Sequence, residues 1–561
     1  RRVLFRSNLT DIVLKNTSII NEINDYAFEN CVSLTNLNII FNGKAIGNNS
    51  FYNCSSISDF SFLNNVVSFG DNSLAHTNLT NFDFYNSKFE FVGKFAFANS
   101  YFPENLNICL NGAVISDGAF HGVEIVNCLE IFNCNIDKEL FYTIFEKTRE
   151  EFVDNVTILS LITDYVASPY LFSAFNSSYI ECNIDGKDIP EGLFNNCTTL
   201  CSVKLNGTIN NFGVKSFMGC AKLDYIDVEV EPNIVVSECA FMNCSSYEYP
   251  YFEQTLVIGN YAFYGSNITN LSLGNNIKYI GECAFGNCKL SSVVKLPFVG
   301  NELNSDQPFG VIFANTMVED TEVQVVGENK YYISNNIECV NIDSEEINNN
   351  AFINCYFIKK IDLPNVRNVT NRSFNNCTSL VELSFGDKLE EFSAISLYGA
   401  NKDIKINIYN NDRFTTVDGS VYSSDLKSIY YVSNNNILDS VTVYKPYSAM
   451  NYSLEELRLN SIQEIDNNAF DIKDVKKITI NNVHYIAPCA FINYGNLNEI
   501  CISSDSKNKY EEIFASQIYD INISKMIINK VSIESILKFF KNSKNLNIEE
   551  FDNVYEWWNF W

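Results

Sequence analysis

The sequence predicts a repeat solenoid, a stack of about twenty short coils with a parallel β-sheet on one face. Two observations carry this. One phrase of thirteen residues returns along the chain, and its aromatic anchor recurs every 22 to 24 residues. Each copy also closes on an alternation of apolar and polar residues, the mark of a short half-buried strand.

The phrase reads Ala27-Phe28-Glu29-Asn30-Cys31-Val32-Ser33-Leu34-Thr35-Asn36-Leu37-Asn38-Ile39. It returns from Leu193-Phe194-Asn195-Asn196-Cys197 through Leu205, and from Ser373-Phe374-Asn375-Asn376-Cys377 through Phe385. The anchor falls at Phe28, Phe51, Leu74, Phe97 and Phe120, then at Phe172, Phe194, Phe217, Phe241, Phe263 and Phe285. It continues at Phe313, Phe352, Phe374, Leu397, Met450, Phe470, Phe491 and Phe514. Within each copy, Leu-x-x-Ile-x-Leu supplies a strand too short to stand alone, so neighbouring copies must pair in a ladder about 4.8 Å apart. The anchor ring then points inward and stacks on the rings above and below, each burial contributing about 1.5–3 kcal/mol. The Asn before Cys suits a turn, since it tolerates a left-handed backbone.

Two stretches break the period, between Phe313 and Phe352 and between Leu397 and Met450. Both read as irregular copies inside the solenoid, with inserts near 320–350 and 410–448. In the second, Asp418-Gly419 between alternating apolar residues predicts a hairpin turn. Glu139–Phe152 is also irregular and is expected to hold a short helix. The solenoid spans residues 8–524. Residues 525–561 form a C-terminal capping segment with an aromatic end (Trp557, Trp558, Trp561), and Lys525–Phe540 has helical apolar spacing. Arg1–Ser7 has the form of an adapter-derived artefact and is set aside from fold reasoning, which places the true N-terminus, with any export signal, outside this sequence.

Composition agrees with an array. The chain has 561 residues, more than one ordinary core takes, with 46% apolar and 19% charged residues, enough to bury a continuous core. Its net charge of −28 repels phosphate backbones, so no nucleic-acid partner is expected. No run reaches the roughly eighteen apolar residues that span a bilayer, so membrane attachment would come only through terminal sequence outside the chain.

The stretch Ile280-Gly281-Glu282-Cys283-Ala284-Phe285-Gly286-Asn287-Cys288, followed by Leu290-Ser291-Ser292-Val293-Val294-Lys295-Leu296-Pro297, resembles the BspA-like leucine-rich repeats. Those repeats read Ile-Gly-x-x-Ala-Phe-x-x-Cys and then Leu-x-x-Ile-x-Leu-Pro. Pro364 after Ile361-Asp362-Leu363 repeats the match, and Asp418–Tyr422 resembles the hairpin insert that interrupts such arrays. The resemblance runs from about residue 17 to about residue 525. It implies a leucine-rich-repeat stack, secreted or displayed at a cell surface, with roles in adhesion and protein binding. It brings no catalytic residues.

The sequence itself holds no active-site constellation. Of 18 cysteines, eight sit three after the anchor (Cys31, Cys54, Cys197, Cys220, Cys244, Cys288, Cys355, Cys377) and three sit two before it (Cys239, Cys283, Cys489). A residue fixed at one place in every coil is a packing residue, and mostly free thiols are expected. No close Cys/His cluster suits zinc, and His76, His121 and His484 lie in different coils. No metal, cofactor or catalytic activity is therefore expected. Asn-x-Ser/Thr sequons occur at Asn53, Asn78, Asn155, Asn196, Asn243, Asn267, Asn368, Asn376 and Asn451, several of them inside the repeat phrase.

The residue between the last two apolar positions of each copy must point out of the core. Down the stack this gives Asn38, Ser61, Asp83, Asn107, Glu130, Asn183, Lys204, Asp227, Ser272, Lys295, Asp362, Ser384, Asn407, Arg458, Thr479 and Asn522. The strip is polar and of mixed charge, and solenoids bind along such faces. The leading expectation is a non-enzymatic secreted or cell-surface protein for adhesion or recognition, using this face, with or without the inserts, on a protein or glycan partner. An intracellular interaction scaffold with the same fold is the alternative.

Overall fold

A computed structural model describes residues 10–13, 19–84, 86–102, 105–109, 113–122, 128–132, 158–162, 169–170, 172–173, 177–184, 186–369, 372–433, 435–450, 453–503, 525–529 and 547–550. Phe514, Asn522, the Glu139–Phe152 segment, the sequons at Asn155 and Asn451, Arg1–Ser7 and the three tryptophans lie outside them. The chain divides into two units, Arg1–Thr269 with Tyr279–Lys289, and Asn270–Lys278 with Leu290–Trp561. Both are built from the same coil.

In the first unit the front ladder runs through Asn105–Cys109, Cys128–Phe132, Ile158–Ile162, Tyr179–Asn183, Ser202–Phe212 and Tyr225–Val236, every pairing parallel. In the second, Leu271–Ser272, Val293–Leu296, Cys339–Ile342, Lys360–Leu363, Glu382–Phe385 and Lys405–Ile408 pair likewise. A further front ladder joins Glu456–Asn460, Lys477–Asn481, Glu499–Ser503, Lys525–Asn529 and Asn547–Glu550. The expected alternation is visible in Lys360–Leu363, where Ile361 and Leu363 are buried and Lys360 and Asp362 exposed. Lys525–Asn529 is thus a strand and not the start of a helix. Its apolar run fits a ladder already presenting partners on one edge, and pairing overrides the helical spacing.

The anchor rings form the expected column. From Phe172 through Phe194, Phe217, Phe241 and Phe263 to Phe285, successive centroids lie 4.9–5.7 Å apart with planes within 19°. Phe28–Phe51, Phe97–Phe120 and Phe352–Phe374 stack the same way, at 4.9, 5.1 and 5.9 Å. The turn around each anchor makes this possible. Two residues after the anchor, Asn30, Asn53, Asn99, Asn196, Asn243, Asn287, Asn354 and Asn376 take φ of 51–62°, and Gly122, Gly219, Gly265 and Gly399 take the same place elsewhere. Asparagine and glycine tolerate this left-handed region best. A second left-handed residue stands two before the anchor, at Tyr26, Phe95, Cys239, Tyr261, Cys283 and Cys489 among others. Its strain is held by the next coil, as where Tyr26 N donates to the Asn48 carbonyl at 2.8 Å and Cys239 N to that of Asn260 at 3.0 Å.

The cysteines three after the anchor are buried, and none of the eleven cysteines at the two recurring positions is in a disulfide. Their role is more specific than filling space. Cys54, Cys197, Cys220, Cys244, Cys288 and Cys377 each donate S–H to the carbonyl of the preceding coil's anchor, with Sγ···O of 2.9–3.1 Å. A thiol is the smallest apolar side chain that can also satisfy that carbonyl.

A second parallel ladder, on the side of each coil, has no counterpart in the sequence reading. It runs through Ala45–Ile46, Ser68–Phe69, Phe91–Val92 and Val114–Ile115. It recurs where Phe212, Val236, Ile258 and Ile280 pair in turn. The repeat's Ile-Gly belongs to this ladder. A Cβ on Gly281 would lie 2.3 Å from the Asn260 nitrogen, so glycine is required where the coils approach closest.

Both inserts are hairpins. Phe414–Val417 pairs antiparallel with Ser420–Ser423 across Asp418 and Gly419, both with positive φ, the turn expected there. Thr321–Val326 pairs with Asn329–Ser334 across Gly327 and Glu328. The two irregular copies also shift the anchor. Phe309, not Phe313, donates its N–H to Ala351 and sets its ring 5.1 Å from Phe352. Ala449, not Met450, bridges to Phe470 and donates to Ala469. Phe309 stands 24 residues after Phe285, within the period that Phe313 exceeds, whereas at the second break the small Ala449 holds the backbone position next to the larger Met450.

Candidate functional site

Hydrogen-bond register decides which outward residues share a row. Lys204 stands between Glu181 and Asp227. Lys295 pairs with Ser272 on one side and Asn341 on the other, and the row continues through Asp362, Ser384 and Asn407. Arg458 is followed by Thr479 and Cys501. Asn107 is followed by Glu130 and Ser160. The sequence reading missed Ser160, Glu181 and Asn341, which lie in irregular copies, and Cys501, whose copy keeps the Leu-x-x-Ile-x-apolar pattern in Leu497–Ile502.

Four predicted positions behave differently. Cys182, not Ile184, fills the apolar slot opposite Leu205, so Glu181 takes the row place and Asn183, opposite Asn206, falls two residues beyond it. Ser61 starts a 3-10 turn, Ser61–Leu63, whose first N–H is held by Asp59. Asp83 accepts from the backbone and side chain of Asn86, capping a local turn instead of joining a strand. Ser384 is in the row but only 8% exposed, because its side chain is short between Asp362 and Asn407. Asn38 is exposed beside Val13 in a short pair of strands.

The face is tied together by charge. Lys204 pairs with Glu181 at 2.7 Å, Lys360 with Glu382 at 2.8 Å and Lys477 with Glu499 at 3.2 Å. Burial alone would raise the Glu181 carboxyl, yet bonds from Lys204, Asn206 and Tyr179 hold it below the usual carboxylate range. Burial, with Glu382 nearby, raises that of Asp362. Such pairs fix side-chain positions more than they stabilise the fold.

No group of three His, Cys, Asp or Glu able to hold a metal occurs among the described residues. His76 and His484 are exposed in separate coils, and His121 lies edge-on against Phe95 at 5.8 Å. A cleft of about 190 Å³ opens between Phe298–Asp306 and Ser344–Asn349, lined mainly by polar groups. No helix among the described residues is long and apolar enough to cross a membrane.

Parallel front strands, a stacked anchor column and paired left-handed turns define a leucine-rich-repeat solenoid. The chain belongs to the BspA type leucine-rich repeat family, whose repeat region matches six times, over residues 3–127, 115–248, 165–292, 256–345, 345–445 and 421–547. Repeats of this family are in general non-enzymatic. Among solved structures the chain is similar to a leucine-rich cell surface protein from Faecalibacterium prausnitzii, with 13% identity, 72% of this chain and 85% of that one covered, and a TM-score of 0.28. The pneumococcal vaccine antigen PcpA matches with 14% identity over 70% of this chain and 85% of its own, at a TM-score of 0.24. A leucine-rich repeat protein from Bacteroides ovatus covers 97% of this chain and 92% of its own, at 14% identity and a TM-score of 0.16. A comparison with curated proteins gives no match.

Proposed function

We propose that the chain is a non-enzymatic adhesion or recognition protein, secreted or displayed at a cell surface, that holds a protein or glycan partner on its front sheet. Membership of the BspA type family supports an interaction role. The observation that carries the choice of surface is the row Ser272, Lys295, Asn341, Asp362, Ser384 and Asn407, polar side chains of both charges set at strand spacing on one rigid sheet. A regular array of this kind presents many weak contacts already fixed in place, which lowers the ordering cost of binding.

Beads coated with the chain test the reading on cultured epithelial cells and on immobilised matrix proteins. A variant carrying Lys295→Glu, Asp362→Lys and Asn407→Arg is expected to lose most bead attachment. Glu238→Lys with Glu282→Lys, exposed on the turn side, should leave attachment unchanged. Attachment that survives the front variant and fails in the turn variant would move the binding surface off the sheet.

A further inference from the structure

One part of the front face differs from the rest. In the first unit, Tyr179, Ser202 and Tyr225 are register partners on three successive strands, so two phenol rings rise from rows about 9.6 Å apart with only a serine between them. Two residues further along the same strands, on the same face, stand Glu181, Lys204 and Asp227. Ile180, Val203 and Ile226, which alternate with them, are buried.

The side chains of this patch are unequally engaged. Tyr179 Oη donates to Glu181 at 3.1 Å, and Glu181 is held in turn by Lys204 at 2.7 Å and Asn206 at 3.1 Å. That fixes one wall and draws the Lys204 ammonium toward Glu181. Asp227, on the other side of Lys204, has no hydrogen bond or ion pair among the described residues. Tyr225 beside it is 59% exposed. Beneath the same edge, the Tyr247 hydroxyl is buried with no partner among the described residues, and burial, with the phenols of Tyr251, Tyr249 and Tyr225 near it, disfavours its ionisation. Carboxylates outnumber cations around the slot, with Glu181, Asp227, Glu229 and Glu231 against Lys187 and Lys204.

We infer that the slot between Tyr179 and Tyr225 receives an arginine side chain of a basic peptide segment on the partner, its guanidinium lying against the rings and paired to Asp227. This rests on the front-sheet reading above and names the partner chemistry for one part of it. A guanidinium is planar, weakly hydrated and attracted to aromatic faces, and Asp227 offers it a carboxylate that makes no ion pair of its own, the neighbouring Lys204 being bonded to Glu181. The excess of acid over base around the slot, and the net charge of −28, favour such a partner over a neutral one.

The probe is the fluorescein-labelled peptide acetyl-Gly-Arg-Gly-Arg-Gly-amide, titrated by anisotropy into the full chain at physiological salt. Saturable binding is expected, weakened at least tenfold by Tyr225→Ala and by Asp227→Asn. Tyr225→Phe should bind as the parent does, because the ring and not the hydroxyl makes the contact. Glu282→Gln, exposed on the turn side and outside the front face, should change binding less than twofold.

Absence of peptide binding overturns the inference, as does binding equally weakened by Glu282→Gln, which would show diffuse attraction. Binding of chitohexaose that Tyr225→Ala abolishes and Asp227→Asn spares, with no peptide binding, would make the slot a sugar platform instead. The bead assay keeps the two readings apart. Loss of attachment in the front variant with no peptide binding leaves the sheet as the recognition surface and removes only the arginine slot.

Discussion

The coils from Phe172 to Phe285 and those around the first insert reach the same end by different means. In the regular stretch, each ring lies on the next with planes within 19°, and each anchor N–H from Phe172 to Phe263 meets a carbonyl of the following coil. Around the insert, Phe309 meets Phe352 at 35°, and the fully buried Gln324 of the hairpin supplies polar contacts to the backbone. Its Oε1 accepts from Gly310 N at 2.7 Å, and its Nε2 donates to the carbonyls of Ala351 and Ile353 at 3.2 and 3.0 Å. A solenoid tolerates an insertion where one buried amide satisfies the backbone groups that a regular turn would have matched.

The largest effect expected is loss of a ring from the middle of the regular column. Phe241 is fully buried with rings on both sides, at 5.4 and 5.5 Å, so Phe241→Ala should cost toward about 5 kcal/mol, whereas Phe309→Ala, tilted and beside the adaptable Phe313, should cost about 3 kcal/mol. Urea unfolding of both variants reads the difference. Equal costs would mean that parallel stacking adds nothing beyond burial.

Gln324→Leu probes the other side. It leaves Gly310 N–H and the Ile353 carbonyl buried without this partner, which should cost about 3 kcal/mol in all. Hydrogen exchange should rise first at Gly310 and in Thr321–Ser334. A variant as stable as the parent would show that water replaces the amide there.

These two cases also mark what sequence can tell. The column was legible because every coil needs an inward ring, so selection for packing writes the same residue at the same spacing. The Asp418-Gly419 hairpin was legible because its turn demands residues that tolerate positive φ. Phe309 also keeps the period, 24 residues after Phe285, but Phe313 competes for the place, and the hydrogen bond of Phe309 to Ala351, a contact 42 residues away, decides between them. The side ladder was hidden because two-residue strands such as Phe91–Val92 are too short to show alternation. On the front face, Lys204, Asp227 and Asp362 fell where the phrase put them, whereas Glu181 was lost because Cys182 stands in a slot usually held by a larger apolar residue.

Glycines refine the comparison at smaller amplitude. Gly281 lies in the regular array, where an added methyl would meet Asn260 N and the Gly259 carbonyl carbon at 2.3 Å, so Gly281→Ala should cost about 2 kcal/mol as the coils part. Gly495 has no atom within 4 Å of such a methyl, and Gly495→Ala should be neutral or stabilising by about 0.5 kcal/mol. Thermal melts of the two separate close approach from mere sequence regularity. A harmless Gly281→Ala would show that the side ladder has room to spare.

The thiol ladder gives an effect that depends on pH. Burial pushes the Cys377 thiol from its ordinary 9.0 up to about 12, and its proton is held by the Phe352 carbonyl at 3.0 Å. Because the folded value lies above the unfolded one, the unionised thiol stabilises fully below pH 9, and that contribution drains away as pH rises toward 12. Cys377→Ala removes the titration, so the stability gap between parent and variant should shrink by about 1.4 kcal/mol per pH unit above 9. Cys288→Ala should behave alike over a narrower window, since that thiol rises only to about 11. Urea midpoints taken between pH 8 and 10.5 read both slopes. A gap that stays constant across that range would mean that the thiols reach solvent without unfolding, and that the coils are not closed around them.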